Sequence, residues 1–222
     1  MTTKNLSLEY IIKESAATTR EKAPLLLMLH GYGSDENDLF SFANELPQEL
    51  FIVSAKAPIA MQPYGNAWYE IYMDATSGKF NNDEQAVAAR ELISKFIDEL
   101  TENYPVDKNN VTLLGFSQGS ILSYAVALSY PKKIRNVIAL SGYISEDMLA
   151  DGYEKNDFSH VSIYSSHGNV DQVIPVEWAR KNAPFLNNLN IENVYSEFPV
   201  GHGVAPQNFF EMRTWIEKRL KN

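Results

Sequence analysis

The chain has 222 residues, enough for one domain with a full hydrophobic core, and its 45% apolar and 21% charged residues are the balance of a soluble globular protein. Its formal net charge is −9, without the clustered Lys and Arg that neutralise phosphates, which argues against nucleic acid and anionic membrane surfaces as partners. It has no cysteine, which excludes disulfides, thiolate metal sites and cysteine nucleophiles.

Strand-like and helix-like segments alternate along the chain, the pattern of an α/β domain with a mainly parallel sheet. Leu6, Leu8, Tyr10 and Ile12 alternate with more polar positions, as in a half-buried strand near a sheet edge. Residues 24–29 form a continuous apolar run that ends in His30-Gly31, as a central strand would. Residues 51–55 are another short strand, and 56–80 are a long irregular stretch. Asn82 or Asp83 reads as the N-cap of a helix carrying Ala86, Ala89, Ile93, Phe96, Leu100 and Tyr104 on one face. Residues 111–114 are a strand, 115–119 a turn, and 120–130 a helix apolar almost all round and stopped at Pro131. Strands follow at 136–140 and 161–165. A helix is expected from Pro175 through Phe185, then a last strand at 193–198 and an amphipathic helix from Pro206. The first ten residues carry no apolar signal core, and no apolar run reaches membrane-spanning length, so a cytoplasmic protein without stable membrane insertion is expected.

Gly115-Phe116-Ser117-Gln118-Gly119 has the form G-x-S-x-G between an apolar strand and an apolar helix. In that context the serine sits on a sharp turn with its hydroxyl beyond the sheet, and the helix N-terminus presents N–H groups to developing negative charge. The competing reading is a serine in a tight turn with glycines there for packing. A serine nucleophile needs a base, and the base needs an orienting carboxylate, in the chain order Ser, Asp or Glu, His. Of four histidines, His30 precedes the serine, His160 lies at the wrong end of a strand, and His167 leaves little room for an acid upstream. His202, in Gly201-His202-Gly203 after the last strand, is the expected base. Asp171, in the loop after the strand at 161–165, is the expected acid, ahead of Asp147, Asp151, Glu177, Glu192 and Glu197. The oxyanion donors are expected from the backbone N–H groups of Gln118 and of Tyr32, in the loop His30-Gly31-Tyr32-Gly33-Ser34. The acidic run at 35–38 lacks calcium-loop spacing. No zinc pattern or phosphate-binding glycine loop is present, so neither metal nor cofactor is expected.

These residues resemble the phospholipase/carboxylesterase group of α/β-hydrolases, which includes acyl-protein thioesterases. The resemblance rests on the block from Leu29 through Leu39, on Gly115 to Gly119, on His167-Gly168-Asn169-Val170-Asp171-Gln172-Val173-Ile174-Pro175, on Gly201-His202 and on Asn66-Ala67-Trp68-Tyr69. It implies a single α/β-hydrolase domain over 1–222 with little or no lid, and Ser117, Asp171 and His202 as a catalytic triad. It also implies hydrolysis of a small acyl ester through a covalent acyl-enzyme, and leaves a homodimer open. Two positions depart from the pattern: Ser120 stands where a further glycine is common, and Tyr32 where leucine is common in the thioesterases. Lysophospholipase, thioesterase and amidase chemistries remain alternatives, as does a binding protein that has lost activity. The aromatic-rich stretch at 56–80 is expected to fold over the site and line an apolar acyl groove. Trp68 is expected nearest the site, with Tyr69 and Val173 as further substrate-binding residues.

Overall fold

The structure is a computed structural model that describes residues 3–16, 22–74 and 78–220. Seven strands form the main sheet: β1 (Tyr10–Lys13), β2 (Ala23–Leu29), β3 (Phe51–Ala55), β4 (Val106–Phe116), β5 (Asn136–Leu140), β6 (Ser162–Gly168) and β7 (Glu192–Phe198). Their order is β1-β3-β2-β4-β5-β6-β7. Only the edge strand β1 pairs antiparallel; the other five pairings are parallel.

Alternation along the strands explains the layers. Leu25, Leu27 and Leu29 of β2 pack in one core with the long helix α2 (Asp83–Asn103) and with α3 (Gln118–Ser129). Leu26 and Met28 pack on the opposite face with α1 (Asn37–Phe40) and α6 (Pro206–Leu220). Because both faces are covered, β2 reads as a continuous apolar run rather than an alternating one. All twelve residues of α3 are buried, as its uniformly apolar sequence anticipates. The α2 N-cap is Asn82, whose side chain accepts the Gln85 N–H; the helix stops at Tyr104, held extended before Pro105.

The structure corrects several local expectations. Strand β4 begins at Val106, not 111, because Val106 and Asp107 pair with Ala23 and Pro24 before an irregularity in register. Strand β6 runs on to Gly168, since β7 continues to pair with it as far as Phe198. The helix expected from Pro175 is two short ones, α4 (Val176–Ala179) and α5 (Asn182–Asn188). Pro184 explains the break: it has no N–H for the Arg180 carbonyl, and its ring crowds that carbonyl. Residues 56–80 are not irregular throughout. They contain two short antiparallel pairings, Ile59–Ala60 with Asn66–Ala67 and Ile71–Asp74 with Gly78–Asn81. Each is too short to leave a period in the sequence. Among the described residues, no helix is long and apolar enough to cross a membrane.

The parallel strands β2, β4, β5, β6 and β7 end along one edge of the sheet, where the following loops meet. Helix α3 can begin there only because Gly119 lets its first turn press on the end of β2. A Cβ at 119 would lie 2.0 Å from the Leu29 carbonyl oxygen and 2.8 Å from that of His30. Gly119→Ala is therefore expected to destabilise the fold by about 1–3 kcal/mol. Thermal denaturation should then show a Tm several degrees lower, at roughly 2–4 °C per kcal/mol. Gly203→Ala, where an added Cβ meets nothing within 4 Å, serves as the control and should leave the Tm unmoved.

Candidate active site

Ser117 occupies the tight turn between β4 and α3. Its backbone has φ +52° and ψ −116°, which L-residues rarely adopt. Its N–H donates to the Leu140 carbonyl at 2.9 Å, tying the turn to the end of β5. The side chain projects toward the loop after β7. There Ser117 Oγ lies 2.9 Å from His202 Nε2, and His202 Nδ1 lies 2.7 Å from Asp171 Oδ2. A carboxylate only accepts, so Nδ1 carries the proton and Nε2 presents its lone pair to the serine hydroxyl.

The loops after β6 and β7 lie against each other, and this contact sets the distance between Asp171 and His202. A Cβ at Gly168 would lie 2.2 Å from the carbonyl oxygens of both Val200 and Gly201. Asn169 N–H donates to Phe198 O at 2.8 Å, which closes the same junction. The His202 ring also rests beside Phe116, with centroids 4.9 Å apart.

The Asp171 side chain is fully buried. Burial alone would raise its pKa. The His202 ring N–H on Oδ2 and the Ile174 and Val173 N–H groups on Oδ1 more than offset this, so the carboxyl is held below its usual range. His167 is a further member that chain order does not single out. It lies inside β6, its Nε2–H donates to the Ile174 carbonyl at 2.9 Å, and the same nitrogen is 3.3 Å from Asp171 Oδ2. It therefore ties down both ends of the acid loop.

The loop after β2 is fixed from beneath. His30 is fully buried, and burial pushes its pKa down, so the ring is neutral. Its Nδ1–H donates to Gly31 O and its Nε2 accepts the Ala57 N–H. Asn66 holds the other side: its carbonyl accepts the Gly33 N–H and its own N–H donates to Ser34 O. The loop thus passes close to Ser117, with an ideal Cβ at Gly31 only 3.3 Å from Ser117 Cβ. Among the described residues the backbone N–H groups of Tyr32 and Gln118 have no backbone or side-chain acceptor, so both remain available. The Gln118 N–H stands at the first turn of α3, where helix geometry leaves it unpaired.

Trp68 does not line a groove at the site. It is 1% exposed, its indole N–H donates to His30 O at 3.0 Å, and its ring packs 5.7 Å from that of His30. It is a pin under the β2 loop, because an indole that is buried must bury its N–H with a partner. The Gln118 side chain completes this clamp, accepting the Trp68 N–H and donating to the Tyr69 carbonyl, each at 2.8 Å. Val173 is also not among the residues lining the cavity beside Ser117: its N–H is engaged by Asp171 and the residue is 51% exposed. Tyr69 does line a cavity beside Ser117 and Gln118, together with Ile71, Ile121, Ile174, Tyr143 and Trp178. Neither Tyr143 nor Trp178 is marked by the sequence, since their elements meet only in three dimensions.

The family model for phospholipase/carboxylesterase matches residues 12–220. A probable carboxylesterase of Oryza sativa subsp. japonica is 26% identical over 222 aligned residues, covering 93% of this chain and 81% of that protein. Acyl-protein thioesterase 1 of Candida albicans is 25% identical over 212 residues, covering 89% and 90%. Among solved structures, a carboxylesterase from Mesorhizobium loti superposes with a TM-score of 0.81 at 21% identity, covering 97% of each chain. The Bacillus cereus carboxylesterase gives a TM-score of 0.80 at 18% identity, covering 95% of this chain and 94% of that one. At these identities the structural likeness speaks for the fold, and the family match covers nearly the whole chain. The chain belongs to the phospholipase/carboxylesterase family of α/β-hydrolases.

Proposed function

We propose that the protein is a serine carboxylesterase that hydrolyses small acyl esters, with Ser117 as nucleophile, His202 as general base and acid, and Asp171 as the group that orients and stabilises the imidazolium. The observation that carries this reading is the unbroken relay from Asp171 Oδ2 through His202 to Ser117 Oγ, at 2.7 and 2.9 Å.

In the reaction, Ser117 Oγ attacks the ester carbonyl carbon while its proton passes to His202 Nε2. The carbonyl π electrons move onto oxygen, and the Tyr32 and Gln118 N–H groups hold the resulting anion. Each such donor contributes roughly 2.7–4 kcal/mol to transition-state stabilisation. Collapse of the tetrahedral intermediate breaks the bond to the leaving oxygen, which takes the proton from His202 and departs as the alcohol. Water then loses a proton to His202 as its oxygen attacks the acyl-enzyme. A second intermediate collapses, the carboxylic acid is released, and Ser117 Oγ recovers its proton. A thioester would follow the same sequence with a thiol leaving.

Two measurements test this reading. On p-nitrophenyl acetate, Ser117→Ala and His202→Ala are each expected to lower kcat by about 10⁶-fold, and Asp171→Asn by about 10⁴-fold, with folding intact by circular dichroism. Activity within about tenfold of the unaltered protein in the folded Ser117→Ala variant refutes the assignment. The pH dependence supplies the second. Hydrogen bonding holds the Asp171 carboxyl below the usual carboxylate range, so Asp171 stays ionised where an ordinary carboxyl begins to take up protons. The acid limb of log kcat/KM is therefore expected to have a slope of about one, a single ionisation, down to about pH 5. A slope of about two there would mean that the carboxylate titrates together with the base.

A further inference from the structure

The cavity beside Ser117 has a volume of about 50 Å³. A larger open cleft of about 460 Å³, lined by Asp83, Asp147 and Lys181 among others, adjoins it. The two spaces share Asn81, Tyr143 and Trp178, so these three side chains form the partition between them.

The partition is built and braced. The rings of Tyr143 and Trp178 meet edge to face, with centroids 5.1 Å apart and planes at 78°. The Tyr143 hydroxyl accepts a hydrogen bond from Asn81 Nδ2 at 3.0 Å. The backbone on both sides of Tyr143 is gripped by the buried side chain of Asn182, which accepts the Ile144 N–H at 3.0 Å and donates to the Gly142 carbonyl at 3.1 Å. Trp178 follows Pro175, whose carbonyl accepts the Trp178 N–H at 2.9 Å. Tyr143 is therefore braced from two sides, while Trp178, 41% exposed, is held by its edge-to-face contact with Tyr143.

Which half of an ester enters the inner cavity follows from the position of the base. The leaving oxygen must lie within hydrogen-bond reach of His202 Nε2 to take its proton. His202 does not line the cavity, whereas Ser117 and Gln118 do. The leaving group therefore lies on the His202 side, and the acyl chain points into the cavity. At about 10–15 Å³ per water-sized group, the inner space takes about three to five such groups.

Resting on the serine esterase reading above, we propose that the Tyr143–Trp178 partition limits the acyl group to about three to five carbons, so that the substrates are short-chain acyl esters. Longer chains meet the two rings before the carbonyl carbon reaches Ser117 Oγ.

The test is the rate profile on p-nitrophenyl esters from acetate to decanoate. The protein is expected to lose about tenfold or more in kcat/KM between butyrate and octanoate. Trp178→Ala and Tyr143→Ala join the two spaces, and each should raise the octanoate-to-butyrate ratio by about tenfold or more. Tyr143→Phe keeps the ring and should retain the short-chain profile. Equal or faster rates on octanoate in the unaltered protein overturn the proposal, as do folded alanine variants that keep its ratio. Should an alanine variant fail to fold, inactivation of the unaltered protein by methyl, butyl and octyl phosphonates decides: the octyl reagent is expected to react about tenfold or more slowly than the butyl one, and equal rates contradict the proposal. Failure of every phosphonate to label Ser117 would instead sink the nucleophile assignment, whereas labelling indifferent to chain length would sink only the limit on the acyl group.

Discussion

The backbone of Ser117 is held at φ +52° and ψ −116°, and a non-glycine residue in such a region costs on the order of 1–3 kcal/mol. The conformation persists because its neighbours leave no alternative. Its N–H is taken by Leu140 at the end of β5, and the first turn of α3 is pressed against the end of β2. The reward is geometric: the same turn lifts the hydroxyl off the sheet edge and leaves the Gln118 N–H free at the helix start. The position of the proposed nucleophile and one of the two proposed anion donors thus come from a single local strain, maintained by the packed parallel sheet on either side.

Around that turn the sheet works as a jig. Ser117 follows β4, Asp171 follows β6 and His202 follows β7, so their spacing depends on strand registers rather than on long loops. Parallel pairing of β6 with β7 brings Gly168 opposite Phe198, and the two following loops touch there. His167 then anchors the acid loop from within β6. The buried carboxyl is held below its usual range because three N–H groups point at it, as its proposed role beside a charged imidazole requires.

Much of this was legible in the sequence, and the reasons for the exceptions are physical. Apolar runs bounded by glycine and proline located the central strands, because a strand buried on both faces has few other compositions. Chain order selected the three residues of the relay, because sequential loops at one sheet edge have little freedom in which groups they bring together. Trp68 was misread as a groove residue, since composition cannot tell an aromatic that lines a space from one that fills it; the difference is the hydrogen bond from its indole to His30. Tyr143 and Trp178 follow different strands, so nothing local links them. His167 was set aside as a base for want of an acid upstream, and its place inside β6 went unread because the strand runs three residues beyond 165, held by pairing with β7 rather than by its own sequence. The break before α5 was available in the sequence, since Pro184 has no N–H for the Arg180 carbonyl and its ring crowds that carbonyl.

The central element of the proposed mechanism is a covalent intermediate at one side chain. Its most direct test is acid quenching during steady-state hydrolysis of an acetyl ester, followed by peptide mapping by mass spectrometry. One acetyl group on the peptide containing Ser117, absent when His202 is replaced by alanine and lost on a chase without substrate, is the result expected. Turnover of the ester with no acyl group on Ser117, or with the acyl group on another residue, would contradict it.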